Sequence, residues 1–268
     1  MKIIVSHDID HLTIDEHWKD LVIPKFIIRM HIELILGKIS LKEFILRIKY
    51  LFINQWQNLN EIMEFDKSEN IPSTFFIGVN NGVGLSYSLN NAEKWIKQIL
   101  NNGFDCGVHG ISYQNYEEIK KEFDTFQKLS NLNEFGIRMH YLRNDKETLN
   151  NLSKAGYIFD STDYKLQNPY FINNMIEFPL HIMEGYEIES DKRWQNNNLE
   201  QAKQSTIQKI NTAKENNIEY LTILFHDRYF NNSFNTWKEW YKWVIKYCKE
   251  QNFEFINYRQ AKTKISGQ

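Results

Sequence analysis

The chain is short of several things, and each shortage closes off a class of protein. It holds two cysteines in 268 residues, Cys106 and Cys248. Two thiols make no disulfide framework, so the fold must stand on its core, and a reducing compartment is expected. Excess charge of either sign is missing too: 32 basic side chains face 34 acidic ones, a net of −2. Such a balance offers no basic field to nucleic acid or to an anionic membrane. No apolar run nears the roughly 20 residues of a membrane-spanning helix, and no leader pattern opens the chain. A cytoplasmic protein is expected. No Gly-x-Gly-x-x-Gly follows a strand and no phosphate-binding P-loop occurs, so nucleotide folds lack their signature. No linker rich in Pro, Gly or Ser divides the chain, and no repeat recurs. Residues 1–268 therefore read as a single domain, and no protein partner can be inferred.

Aromatic residues, in contrast, reach 15%. They build cores and line sugar clefts, and composition alone does not separate the two uses. The chain opens on Met1–Val5, apolar and β-branched, which reads as a buried strand. It runs straight into Ser6–His7–Asp8–Ile9–Asp10–His11. Side chains alternate along a strand, so Asp8 and Asp10 share a face. Two carboxylates there repel unless a metal or an arginine meets them.

Beyond a loop at Leu12–Leu21 that carries His17 and Trp18, helices are expected over Ile23–Leu36 and from the capping box at Ser40. A third is expected over Asn58–Asp66; together these form a helical insertion of about residues 22–66. Strands are then expected at Ser73–Val79, Phe104–His109, Phe135–Tyr141, Tyr157–Asp160, Met175–Met183, Tyr220–Phe225 and Phe253–Tyr258. Helices alternate with them at Ala92–Leu100, Tyr116–Leu129, Lys146–Lys154, Leu199–Glu215 and Thr236–Lys249. This alternation is the pattern of an α/β fold on parallel strands, and seven or eight strands favour a closed or nearly closed barrel.

In such barrels the strands' C-terminal ends share one face. Those ends carry Asp8 and Asp10; His109; Arg138, His140 and Arg143; Asp160 and Asp163; and His226 and Asp227. One histidine is ordinarily a packing residue, but ionisable groups at nearly every strand end are hard to explain by packing. Imidazoles with a carboxylate suit Zn²⁺ or a similar divalent ion.

These motifs resemble the NodB-type polysaccharide deacetylases of carbohydrate esterase family 4. The resemblance spans most of the chain, from Ile3 to about Tyr258. It implies a distorted (β/α)7-type barrel and metal-dependent removal of acetyl groups from an amino sugar or acetylated glycan intermediate. By resemblance Asp8 is the catalytic base and Asp10 a metal ligand in an Asp-x-Asp motif. Val108–His109–Gly110 makes His109 a second ligand, and Arg138 holds the base. A backbone N–H near Tyr141 faces the oxyanion, Leu224 lines the acetyl-methyl pocket, and His226 is the general acid. Asp160–Ser161–Thr162 and Glu177–Phe178–Pro179 resemble the region that shapes one wall.

Two positions depart from the pattern. Tyr113 stands where a further histidine is usual, and His140 where proline is usual. His140 then either completes a metal site with Asp10 and His109 or is a hydrogen-bonding wall residue. Tyr113, His11 or water are the other candidates for the vacated position. Asp227 could orient the His226 ring or be a solvated charge. Trp194 is a candidate sugar platform, and Trp237, Trp240 and Trp243 recur at core spacing. Cys106 falls on the opposite strand face from His109 and reads as a core thiol. Arg143 and Arg228 could meet a phosphate on a nucleotide-linked or lipid-linked sugar. Two other readings stay open: a catalytically weakened carbohydrate-binding barrel, and a metal amidohydrolase acting on a small non-sugar amide.

Overall fold

The computed structural model describes residues 1–17 and 19–267. Trp18 lies outside the described residues. Strand β1 (Lys2–Ile9) is followed by helices α1 (Val22–Ile35), α2 (Leu41–Leu51) and α3 (Leu59–Ser68). Then β2 (Thr74–Ile77), α4 (Leu89–Asn101), β3 (Asp105–Gly110), α5 (Tyr116–Ser130), β4 (Ile137–Met139), α6 (Thr148–Ala155) and β5 (Phe159–Asp160) alternate. A hairpin of β6 (Tyr170–Ile172) and β7 (Met175–Glu177) leads to β8 (Ile182–Met183) and the short α7 (Glu184–Ile188). The chain ends with α8 (Leu199–Glu215), β9 (Tyr220–Leu224), α9 (Asn235–Glu250), β10 (Glu254–Phe255) and α10 (Tyr258–Ser266).

The sheet runs β6-β7-β5-β4-β3-β2-β1-β9-β8, with β10 also on β1. Every pairing is parallel except the β6–β7 hairpin. This is the curled, distorted (β/α) barrel that the alternation predicts. The chain itself spans the gap between β7 and β8. The Leu180 N–H bonds the Asp163 carbonyl at 2.7 Å on one side. On the other, Thr222 Oγ1 donates to the Pro179 carbonyl and accepts from the His181 N–H.

Period-two alternation splits the apolar residues into two clusters. Ile3, Val5, Phe75, Ile77, Cys106, Val108, Ile137, Leu221 and Ile223 pack outward against the helices. Ile4, Phe76, Phe159, Phe178 and Tyr220 pack inward. Each buried phenylalanine contributes about 1.5–3 kcal/mol. Gly136, just before β4, is required by this inner packing, because any β-carbon there would collide with the Phe159 ring. Helix α10 supplies Tyr258 and Ala261 to the inner cluster, and the Tyr258 ring stacks on Phe159 at 4.6 Å.

Three elements differ from the sequence reading. Met175–Met183 is not one strand: β7 and β8 lie at opposite parts of the sheet, and Pro179 falls between them. The antiparallel partner β6 was not anticipated. The final strand stops at Phe255, and Asn257 caps a helix that begins at Tyr258. Asn257 and Gln260 form a reciprocal capping box, a signal readable in the sequence.

Candidate metal centre and active site

The C-terminal ends of β1, β3, β4 and β9 meet at a cavity of about 910 Å³. Alternation decides which side chains reach it. Asp8, His109 and Leu224 lie on inward positions and line it, followed by Asp10, His140 and His226 where the strands end. Two consecutive left-handed residues, Tyr141 (φ 58°) and Leu142 (φ 53°), turn the chain sharply after His140. Such a conformation is costly for bulky residues, and it leaves Tyr141 exposed at the cavity edge.

Asp10, His109 and His140 form a triangle of donor atoms. Asp10 Oδ1 lies 3.1 Å from His109 Nε2 and 3.2 Å from His140 Nδ1. The two ring nitrogens are 3.0 Å apart. The outer nitrogen of each ring faces a carbonyl: His109 Nδ1 that of Arg138 and His140 Nε2 that of Val83, both at 3.1 Å. A carbonyl only accepts, so each outer nitrogen carries the proton. In the neutral rings the inner nitrogens are then bare, and two lone pairs and a carboxylate oxygen converge on one point. Ligands bonded at about 2.0–2.2 Å to one small divalent ion stand about this far apart. The carbonyl contacts are the supporting interactions that fix a metal-binding histidine's tautomer. The residues fit a metal centre.

The same three groups are electrostatically linked. Burial pushes the Asp10 carboxyl up, but His140, His109 and His226 outweigh it and hold it well below the usual range. Burial pushes His140 down, yet Asp10 raises it above an ordinary imidazole.

Asp8 is held differently. Arg138 Nη1 donates to Asp8 Oδ1 at 3.0 Å and to Ser6 Oγ at 2.8 Å. Nη2 reaches Ser161 Oγ and the Tyr258 hydroxyl, and Nε the Ser161 carbonyl. All five donors of the fully buried guanidinium are used. The Phe76 ring lies 4.7 Å from its carbon.

Across the cavity, His226 Nδ1 bonds a Glu184 carboxylate oxygen, and Nε2 lies 3.7 Å from Asp10 Oδ2. Burial would lower His226, but Glu184, Asp10 and Asp8 raise it to about 10. Asp227 therefore does not orient this ring. Its Oδ2 accepts the Asn58 N–H at 3.0 Å, and burial drives its own pKa up to about 7. Glu184 was missed, although it stands directly after β8 and the strand-end rule that found the other residues would have found it.

The remaining candidates divide. Trp194 and Arg228 line the cavity, and the Arg228 guanidinium lies 3.9 Å from the Trp56 ring centre. Arg143 does not line it. Its guanidinium is taken by the carbonyls of His140 and Ile111 and lies over the Tyr113 ring, bracing the turn instead. Tyr113 does not line the cavity, and its ring packs under the Arg143 guanidinium. His11 faces the cavity, and its Nδ1 lies 3.0 Å from His17 Nε2. Trp237 and Trp240 are fully buried, and Trp237 also reaches the cavity wall.

By sequence alone, no described family and no curated protein matches the chain. Solved structures do match in shape. A Mycobacterium smegmatis protein assigned as a polysaccharide deacetylase superposes with a TM-score of 0.67 at 12% identity, over 99% of this chain and 90% of its own. PuuE allantoinase gives 0.63 at 12% identity, over 98% and 89%. A CE4 family pseudoenzyme from Bacillus anthracis gives 0.51 at 12% identity, over 97% and 64%. The chain thus has the fold of the NodB-type polysaccharide deacetylases.

Proposed function

We propose that the chain is a metal-dependent deacetylase acting on an acetylated amino sugar or glycan intermediate in surface polysaccharide synthesis, on the cytoplasmic side. One observation carries this reading: the bare-nitrogen triangle of Asp10, His109 and His140 lies beside a carboxylate fixed by arginine and opposite a buried imidazole. His140 supplies the third donor that Tyr113 does not, which counts against a weakened, binding-only barrel. Zinc suits this nitrogen-rich donor set. When bound, a divalent ion there would polarise the acetyl carbonyl and acidify a water.

The side chains supply the rest. Asp8, fixed by Arg138, accepts a proton from the attacking water. The backbone N–H near Tyr141 faces the developing oxyanion. His226 Nε2 gives its proton to the departing amine or hydroxyl, with Glu184 fixing the ring from Nδ1. Leu224 accommodates the acetyl methyl, and Trp194 stacks on the sugar. Allantoinase shares the fold, so a small non-sugar amide is the competing substrate. The cavity's size and its Tyr141, Tyr186 and Trp194 edge favour a sugar ring.

Acetate release from N-acetylated and O-acetylated sugars, before and after chelation, tests the proposal. Release that stops with chelator and returns with zinc supports it. Release that persists in chelator removes the metal. Turnover of allantoin-like amides with no sugar turnover moves the chain to the competing class.

A further inference from the structure

Helices α1 and α2 are attached in two ways. Phe26 and Met30 of α1 are buried in the main core, and Phe44, Ile48 and Leu51 of α2 pack against it. Polar contacts complete the attachment. Glu33 and Arg47 form a fully buried ion pair that joins the two helices. Arg47 Nε donates to the Ser233 carbonyl at 2.8 Å, and the Gln195 N–H donates to Glu33 Oε1 at 2.7 Å. A second set of their apolar side chains stays outside. Leu21 is 62% exposed, Ile28 60% and Ile35 82%, spaced seven apart along α1 from its N-cap. Leu41 (63%), Ile45 (56%) and Phe52 (85%) form the matching stripe of α2. Among the described residues, eight of the fifteen large apolar side chains that stand exposed fall within residues 21–53. Water solvates such side chains poorly, and exposed apolar surface concentrated in one segment marks a docking site.

The charge of the segment identifies the occupant. Residues 21–53 hold six Lys and Arg against two Glu, in a chain whose net charge is −2. Lys25, Lys42 and Lys49 are exposed and, among the described residues, in no ion pair. Apolar stripes flanked by unpaired lysines suit an anionic bilayer surface, where the apolar side chains enter the acyl boundary and the ammonium groups meet lipid phosphates. The whole-chain balance had argued against membrane affinity; the local distribution reverses that. The hairpin is also continuous with the site. Lys25, Ile28, Arg29 and Ile32 of α1 line the cavity.

We infer that the α1–α2 hairpin seats the protein on an anionic bilayer surface, with the cavity mouth at the level of the lipid headgroups. Resting on the function proposed above, this makes the substrate an acetylated sugar presented at a membrane rather than one free in solution.

The test is co-sedimentation of the full chain with phosphatidylcholine vesicles, with and without phosphatidylglycerol. Binding to the anionic vesicles, weakened by salt, is expected. The double variant Ile35→Asn/Phe52→Asn should lower partitioning at least roughly tenfold. Lys42→Glu/Lys49→Glu should lower it at least as much, since each lysine near the surface is worth about fivefold. All four side chains are exposed and outside the cavity, so turnover of soluble acetylated sugar should be unchanged. Wild-type protein that ignores anionic vesicles, or variants that bind as well as wild type, overturn the inference. So does a lipid-free dimer, seen by sedimentation velocity, that the apolar double variant dissolves, because the face would then belong to a second copy. Vesicle binding needs no catalysis, so a chain that binds vesicles but releases no acetate would fail the proposed function and keep this inference.

Discussion

Adjacent residues of β1 meet opposite environments. His7 points outward and is saturated: Nδ1 bonds the Phe225 carbonyl at 2.8 Å and Nε2 bonds Asp66 Oδ2 at 2.9 Å. Asp66 is closed in turn by Ser73 Oγ and the Tyr241 hydroxyl. Asp8 points inward, held by Arg138 on one oxygen and next to the cavity. Beside it the Asp10, His109 and His140 triangle joins three acceptor atoms with no donor among them in the neutral rings. A closed polar network fixes a strand against its helices, whereas a cluster of convergent acceptors beside a cavity is open to a ligand. Burial alone does not tell them apart, because His7, Asp8 and His109 are all buried.

Substitutions on the two faces should therefore fail in different ways. Asp8→Asn is expected to lower kcat/KM for acetate release by roughly three to four powers of ten with metal content retained. A small loss would return Asp8 to a structural role. On the outer face, His7→Phe should leave metal content unchanged but cost about 3 kcal/mol in denaturant unfolding, because Asp66 is left buried without its partner. Lost metal in that variant would break the contrast. His140→Ala should weaken metal binding by roughly a hundredfold or more, read as zinc per chain after dialysis. Full occupancy would make His140 a wall residue. The smallest effect is expected at Asp227, whose folded pKa of about 7 lies above the unfolded carboxyl value. Folding favours its protonated form, so stability is lost as pH rises from about 4 through about 7. Asp227→Asn should then be more stable than wild type by about 1–2 kcal/mol above pH ~8 and equal to it near pH ~4. An equal gain at both pH values would mean that packing, not titration, sets the difference.

The long elements were legible because their periodicity is strong. Residues Leu199–Glu215 and Tyr116–Ser130 carry helical patterns with Asn caps. The donor triangle was legible because strand alternation and strand ends are sequence properties. What failed depends on contacts far away in the chain. Nothing within Met175–Met183 says that its halves join different neighbours. Arg143 resembles a free cation until the turn at Tyr141 brings the His140 and Ile111 carbonyls to it. Tyr258 reads as a strand residue until its ring is seen among the inner phenylalanines.

That tyrosine ties the candidate site to the closure of the barrel. Its hydroxyl is one of the five acceptors that fix Arg138, and it lies 252 positions beyond Ser6, another of the five. Asp8 sits on the first strand of the barrel, but the guanidinium that holds it takes one of its five acceptors from the last helix. Closing the barrel and fully seating the Asp8–Arg138 pair are therefore one event, and a chain without α10 would keep every candidate metal ligand yet leave one buried guanidinium N–H without its acceptor.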